Sequence, residues 1–76
     1  MKLRVFVTLK NGVLDPQGRA IQHALGSLGF DGINDVRAGK LIELDVADDT
    51  SDAAVDEMCR KLLANTVIEN YRVERA

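Results

Sequence analysis

From Lys2 to Lys10 the chain reads KLRVFVTLK, and this stretch decides the fold. Leu3, Val5, Val7 and Leu9 occupy every second position, with Lys2, Arg4, Thr8 and Lys10 between them. That is the period of a strand with one buried and one open face. Phe6 breaks the alternation by standing on the polar side. The open face therefore carries a large apolar group, and something is expected to cover it.

Asn11-Gly12 marks a turn, and Asp15-Pro16 starts a helix. A carboxylate at Asp15 can accept from the free amides of the first turn, and proline at the first helical position has no amide to leave unpaired. At 100° per residue, Ala20, Ile21, Ala24, Leu25 and Leu28 share one face, with Arg19, Gln22, His23 and Gly26 opposite. Gly29 ends the helix. Gly26 costs about 0.8–1 kcal/mol relative to alanine in a helix interior. On the outer face core packing is not its reason. Close approach of another backbone is one explanation, and tolerance of one poor residue is the other.

Val36, Ala38, Ile42, Leu44 and Val46 keep one parity, and Asp35, Arg37, Leu41, Glu43 and Asp45 keep the other. A two-residue hairpin at Gly39-Lys40 would reverse the parity and bury Glu43 and Asp45. That leaves either one long strand bent at Gly39 or two segments joined there by a bulge-like turn. Asp48, Asp49 and Thr50 form the next loop, and Ser51 caps a second helix that runs to about Ala64. Its inner face is expected to hold Ala54, Val55, Met58, Cys59, Leu62 and Leu63. Asp56 with Arg60 and Glu57 with Lys61 have the favourable i,i+4 order on the outer face. Asn65 is expected to end this helix in a left-handed conformation. Tyr71 and Val73, alternating with Arg72 and Glu74, form a closing strand.

Strand, helix, long or doubled strand, helix, strand reads as one α+β domain over residues 1–76. The expected arrangement is a ferredoxin-like split βαβ with two right-handed crossovers and both helices on one face of an antiparallel sheet. Phe6 and Leu41, lying on the other face among Arg4, Arg37, Glu43 and Glu74, are the candidates for self-association. Mixed charge suits a second copy better than a charged polymer.

Size points the same way. A chain of 76 residues has a thin core, and domains of this size commonly need a disulfide, a metal or a partner. Cys59 is the only cysteine and His23 the only imidazole, so association remains. The composition is 46% apolar and 29% charged with net charge −2, which gives no electrostatic case for nucleic acid. No apolar run approaches a bilayer span, and MKLRVFVTLK alternates rather than forming a signal core, so a cytoplasmic location is expected.

The reactive residue types form no catalytic constellation. Cys59 lies on an apolar helix face, where a thiol is inert. His23 lies on an exposed helix face with no acid fixed near it in sequence. Asp48, Asp49, Asp52 and Asp56 lack the spacing and glycine of a calcium loop. Asn11, Gly12 and Gly39 are turn residues rather than a phosphate cradle, while Lys10, Arg37 and Lys40 could meet an anion or an acidic partner loop. The two polar connections, LKNGVLDPQG at Leu9–Gly18 and LLANTVIENY at Leu62–Tyr71, read as recognition surface.

Three stretches, KNGVLDPQGRAIQHALGSLGF at Lys10–Phe30, VRAGKLIEL at Val36–Leu44 and MCRKLLANTVIENYRVE at Met58–Glu74, closely resemble the PurS family. That family is the small subunit of bacterial phosphoribosylformylglycinamidine (FGAM) synthase. The likeness covers nearly the whole chain.

The resemblance implies a part in the fourth step of purine biosynthesis, in which formylglycinamide ribonucleotide, glutamine and ATP become formylglycinamidine ribonucleotide, glutamate, ADP and phosphate. It implies a non-catalytic homodimer or tetramer that bridges a PurQ-type glutaminase and a PurL-type synthetase and assists ammonia transfer. No cofactor is expected on this chain, since ATP and Mg would belong to the synthetase. Lys10, Asn11, Asp15, Gln17, His23, Gly26, Arg37, Lys40, Asn65 and Asn70 are the candidate partner contacts. A free-standing ligand-sensing module of the same fold is the alternative reading, because fold alone does not fix function.

Overall fold

The computed structural model describes residues Met1–Ala76. The expected alternating strand is β1, Lys2–Leu9, and it forms the middle of a three-stranded sheet of order β2-β1-β3. β2 is Gly39–Asp45 and β3 is Glu69–Arg75. Between them come helix α1, Pro16–Ser27, and helix α2, Asp52–Met58, which continues as a π-helical turn over Cys59–Leu63. The α+β class expected from the order of elements is the one observed.

Both neighbours of β1 run antiparallel to it, with Val5 opposite Ile42 on one side and Val73 on the other. β2 and β3 are therefore parallel to each other with β1 between them, and α2 connects them as one split βαβ unit. The expectation of two crossovers is corrected to one, because α1 joins antiparallel neighbours.

Leu3, Val5 and Val7 are buried on the inner face, where Val5 and Val7 meet Cys59 and Ala64 in a core that Ile42, Leu44, Leu63 and Tyr71 surround. Removing apolar side chains from water supplies most of the driving force for such a core. No α1 side chain joins it. Both helices were expected on the sheet, yet only α2 contributes to its core. The Ile21 and Leu28 side chains of α1 stand 40% and 73% exposed. The radius of gyration is 15.7 Å, against about 11 Å for a compact chain of this length. Only eight of 76 residues are buried.

The middle strand is neither long nor doubled. Its pairing with β1 begins at Thr8–Gly39, and Val36–Ala38 has no strand to pair with. Gly39 is required there by close approach: a Cβ would lie 2.5 Å from the Val7 carbonyl oxygen.

α2 departs from its sequence pattern at the π turn. Ala64 N–H bonds the Cys59 carbonyl at 2.9 Å, five residues back, so one extra residue enters the turn. Leu63 and Ala64 rotate inward while Leu62 stands 84% exposed, and Met58 is 39% exposed. The helical wheel places both on the inner face. Nor does Asn65 adopt a left-handed conformation, since every positive φ in the chain belongs to glycine. The helix instead unwinds through Ala64, which is extended at φ −129° and ψ 140°.

Candidate functional site

Sequence-distant connections meet at one end of the sheet. Lys10 N–H donates to the Ile68 carbonyl at 2.8 Å, which ties the β1–α1 connection to the one before β3. The Arg37 guanidinium donates to the Leu9 and Lys10 carbonyls at 2.5 and 3.2 Å, which ties in the segment before β2. The two stretches expected to form recognition surface thus meet at one end through the Lys10–Ile68 bond, and Arg37 fastens the segment before β2 to the first of them.

Asp15 closes the same end from within. It caps α1, accepting from Gly18 N–H at 2.9 Å, while its other oxygen accepts from Ala38 N–H at 2.8 Å. The Gly18 amide, then the Ala38 amide, hold this carboxyl below its ordinary range, with Arg37 adding to them against the opposing effect of desolvation. Buried and fully bonded, Asp15 is corrected from a partner contact to an internal joint. Gly18 is buried beside it, and a Cβ at that position would overlap the Val36 carbonyl oxygen.

The neighbouring turn is held by its own side chains. Asn65 N–H donates to Glu69 Oε1 at 2.7 Å, and Asn65 Oδ1 accepts from Val67 N–H at 3.1 Å. The turn leaves Val67 82% exposed on the same connection as Leu62. Asn11, Lys40 and Asn70 are exposed at this end, with Asn70 opposite Thr8 in the sheet and Lys40 opposite Val7. Gln17, His23 and Gly26 are also exposed but lie along α1, so the candidates divide between the loop end and the helix.

On the outer face Phe6 pairs with Leu41 on one side and Arg72 on the other, and Arg4 lies between Glu43 and Glu74. The Arg72 guanidinium sits 4.5 Å from the Phe6 ring centroid. Leu41 is 48% exposed.

The acidic residues of the second helix are used structurally. Asp56 accepts from the Tyr71 hydroxyl and, at 2.8 Å, from Arg60. The Tyr71 bond, then the Arg60 bond, keep the Asp56 carboxyl below its usual range; the same contact with Asp56 raises the Tyr71 phenol. Asp52 faces Arg75 at 3.5 Å, and Asp48 receives the Met1 ammonium at 2.7 Å. No group of three or more His, Cys, Asp or Glu side chains converges as a metal site would require. Burial, then the negative charge of Asp56, raises the Cys59 thiol, the opposite of what activates a nucleophile. A cleft of about 380 Å³ opens between Leu3, Val55, Val73 and Arg75, away from the loop end. No helix is long and apolar enough to cross a membrane.

Within the Leu62–Tyr71 stretch sequence reasoning did not single out Leu62 and Val67, which the π turn and the following loop leave exposed, and it missed Gly18, whose missing Cβ makes room for Val36. A single glycine two residues after Asp15-Pro16 was the one available signal for the last of these.

A family model described as PurS, phosphoribosylformylglycinamidine (FGAM) synthase, matches residues 2–76. The chain is 56% identical over 75 residues to the phosphoribosylformylglycinamidine synthase subunit PurS of Bacillus subtilis, covering 96% of this chain and 89% of that one. It is 42% identical over 76 residues to the corresponding subunit of Methanocaldococcus jannaschii, covering 96% and 92%. Among solved structures, a crystal form of B. subtilis PurS superposes with a TM-score of 0.86 at 56% identity, over 96% of this chain and 94% of that one. A chain of the PurLQS structure from Thermotoga maritima superposes with a TM-score of 0.84 at 32% identity, over 99% and 95%.

Proposed function

Because the chain belongs to the PurS family, we propose that it is the small adaptor subunit of FGAM synthase, an ATP-consuming, glutamine-dependent C–N ligase of purine biosynthesis. The match across residues 2–76 carries this reading. Its chemistry is compatible: the loop end offers clasped backbone, amides and exposed apolar groups, and no nucleophile stands beside a base. The T. maritima PurLQS assembly supports placing the chain between a synthetase and a glutaminase.

In this reading the partners hold the active sites, and ATP with Mg is used by the synthetase. The adaptor's contribution is geometric. Ammonia released by the glutaminase must reach the synthetase without escaping to water or gaining a proton, so the junction between the two has to be sealed and oriented. Self-association through the Phe6 and Leu41 face, with Arg4 and Arg72 of one copy meeting Glu43 and Glu74 of the other, would make the adaptor a two-fold symmetric bridge. Lys10, Asn11, Lys40, Asn65 and Asn70 at the loop end, together with Gln17, His23 and Gly26 along α1, remain available to the larger subunits.

The test is reconstitution with a purified synthetase and glutaminase. Glutamine-dependent FGAM formation should require this chain, whereas the chain alone should turn over none of the substrates. Glutamine-dependent synthesis that proceeds equally well without it would overturn the assignment.

A further inference from the structure

Asp15 joins two parts of the chain that share little else. One carboxylate oxygen accepts from Gly18 in the first turn of α1, and the other accepts from Ala38 on the approach to β2, 23 residues away. Asp15 as a residue is 7% exposed. Beneath it Gly18 has no room for a side chain, because a Cβ would overlap the Val36 carbonyl oxygen and come 2.7 Å from Asp15 Oδ2. Farther along the helix, Gln22 Nε2 donates to the Ile33 carbonyl at 3.1 Å. α1 adds nothing to the buried core of the sheet. Its direction is therefore set chiefly at its root, by a two-sided acceptor and a missing methyl group, with the Gln22–Ile33 bond as a second tether, rather than by packing on the sheet core.

We propose that Asp15, seated against Gly18, is a positioning residue: it holds α1 at a fixed angle to the sheet, and that angle sets the register of the glutaminase and synthetase for ammonia transfer. The inference rests on the adaptor reading and adds the element that makes the adaptor rigid. A small angular error at the root of a 12-residue helix is magnified at its tip. Ammonia transfer depends on that registration, whereas binding of the partners alone tolerates looser geometry.

The test uses the reconstituted complex carrying Asp15→Asn. Asparagine keeps the shape and one acceptor for Gly18, so the helix start survives, but its amide would meet the Ala38 N–H donor to donor. The ratio of glutamine-dependent to ammonia-dependent synthesis is expected to fall about tenfold. The distance between nitroxides at Ser27→Cys and Glu43→Cys, measured in an excess of unlabelled chain, should shift or broaden; the buried Cys59 will not take the label. Gly18→Ala should act alike by overlap with Val36. Val55→Ala, which loosens the core away from the joint, should lower both activities together and leave their ratio unchanged. A wild-type ratio in Asp15→Asn, or an unmoved label distance, overturns the inference while the adaptor reading stands. If omitting the chain leaves glutamine-dependent synthesis intact, the adaptor reading falls and the inference falls with it.

Discussion

The Arg72 guanidinium lies over the Phe6 ring, 4.5 Å from its centroid, on the sheet face turned away from α2. A cation over an aromatic ring is held by the ring's quadrupole, so the one large aromatic on this face is partly shielded by its own chain. Leu41, its neighbour on the other side, is not shielded. Phe6→Lys would remove the ring and set a third cation beside Arg4 and Arg72. The mutant is expected to sediment as a monomer at concentrations where the wild type associates, and its melting temperature should no longer rise with concentration.

The Tyr71 hydroxyl donates to Asp56 and links β3 to α2. Asp15 and Asp56 titrate below their ordinary value of 3.8, so the stability they confer is complete above that pH and is lost as pH falls through their folded values. Tyr71 titrates above its ordinary 10.0, so its contribution is complete below pH 10 and is lost as pH rises through the folded value. Thermal melts across the alkaline range should show that loss in the wild type. Tyr71→Phe should melt lower at neutral pH and lack the component due to Tyr71.

Cys59 is fully buried against Val5 and Val7 with no polar partner for its side chain among the hydrogen bonds. Cys59→Ser would place a hydroxyl there and is expected to cost about 1–3 kcal/mol by denaturant titration. Under native conditions the wild-type thiol should react with an aromatic disulfide reagent only at the rate of unfolding.

Leu62 and Val67 are the most exposed large apolar side chains, at 84% and 82%. Leu62→Asn with Val67→Asn should leave folding stability within about 0.5 kcal/mol of wild type. Co-sedimentation with the larger subunits should weaken, because the groups lost are ones the isolated chain does not use.

Replacing Asn65 and Asn70 together tests the loop end from its polar side. Asn65→Asp keeps an acceptor for Val67 N–H, and Asn70→Ser spares the β3 pairing, since Asn70 takes part in it through its backbone opposite Thr8. Glutamine-dependent activity is expected to fall while the small subunit keeps its own association state, read by reconstituted assays and sedimentation.

The strand at Lys2–Leu9, the Asp15 and Ser51 caps, and the parity of Ile42 and Leu44 were all legible because each depends on a local period or a local hydrogen bond. Leu62 was misread because an amphipathic wheel assumes a constant rotation per residue, and the π turn breaks it where Ala64 bonds back to Cys59. Asp15 was correctly expected to cap α1, but its second bond, to Ala38, spans 23 residues and left no local trace.

Local periodicity, capping chemistry and family-specific wording were enough for the sequence to determine the order of the elements, the α+β class and the family. Only the tertiary structure decided that α1 stands off the sheet core, that Asp15 works inward rather than outward, and that the separated connections share one end. The reason is physical. Those features depend on which backbone amides and carbonyls come within hydrogen-bond reach after the sheet has set its register, and that register is a property of the assembled chain rather than of any segment.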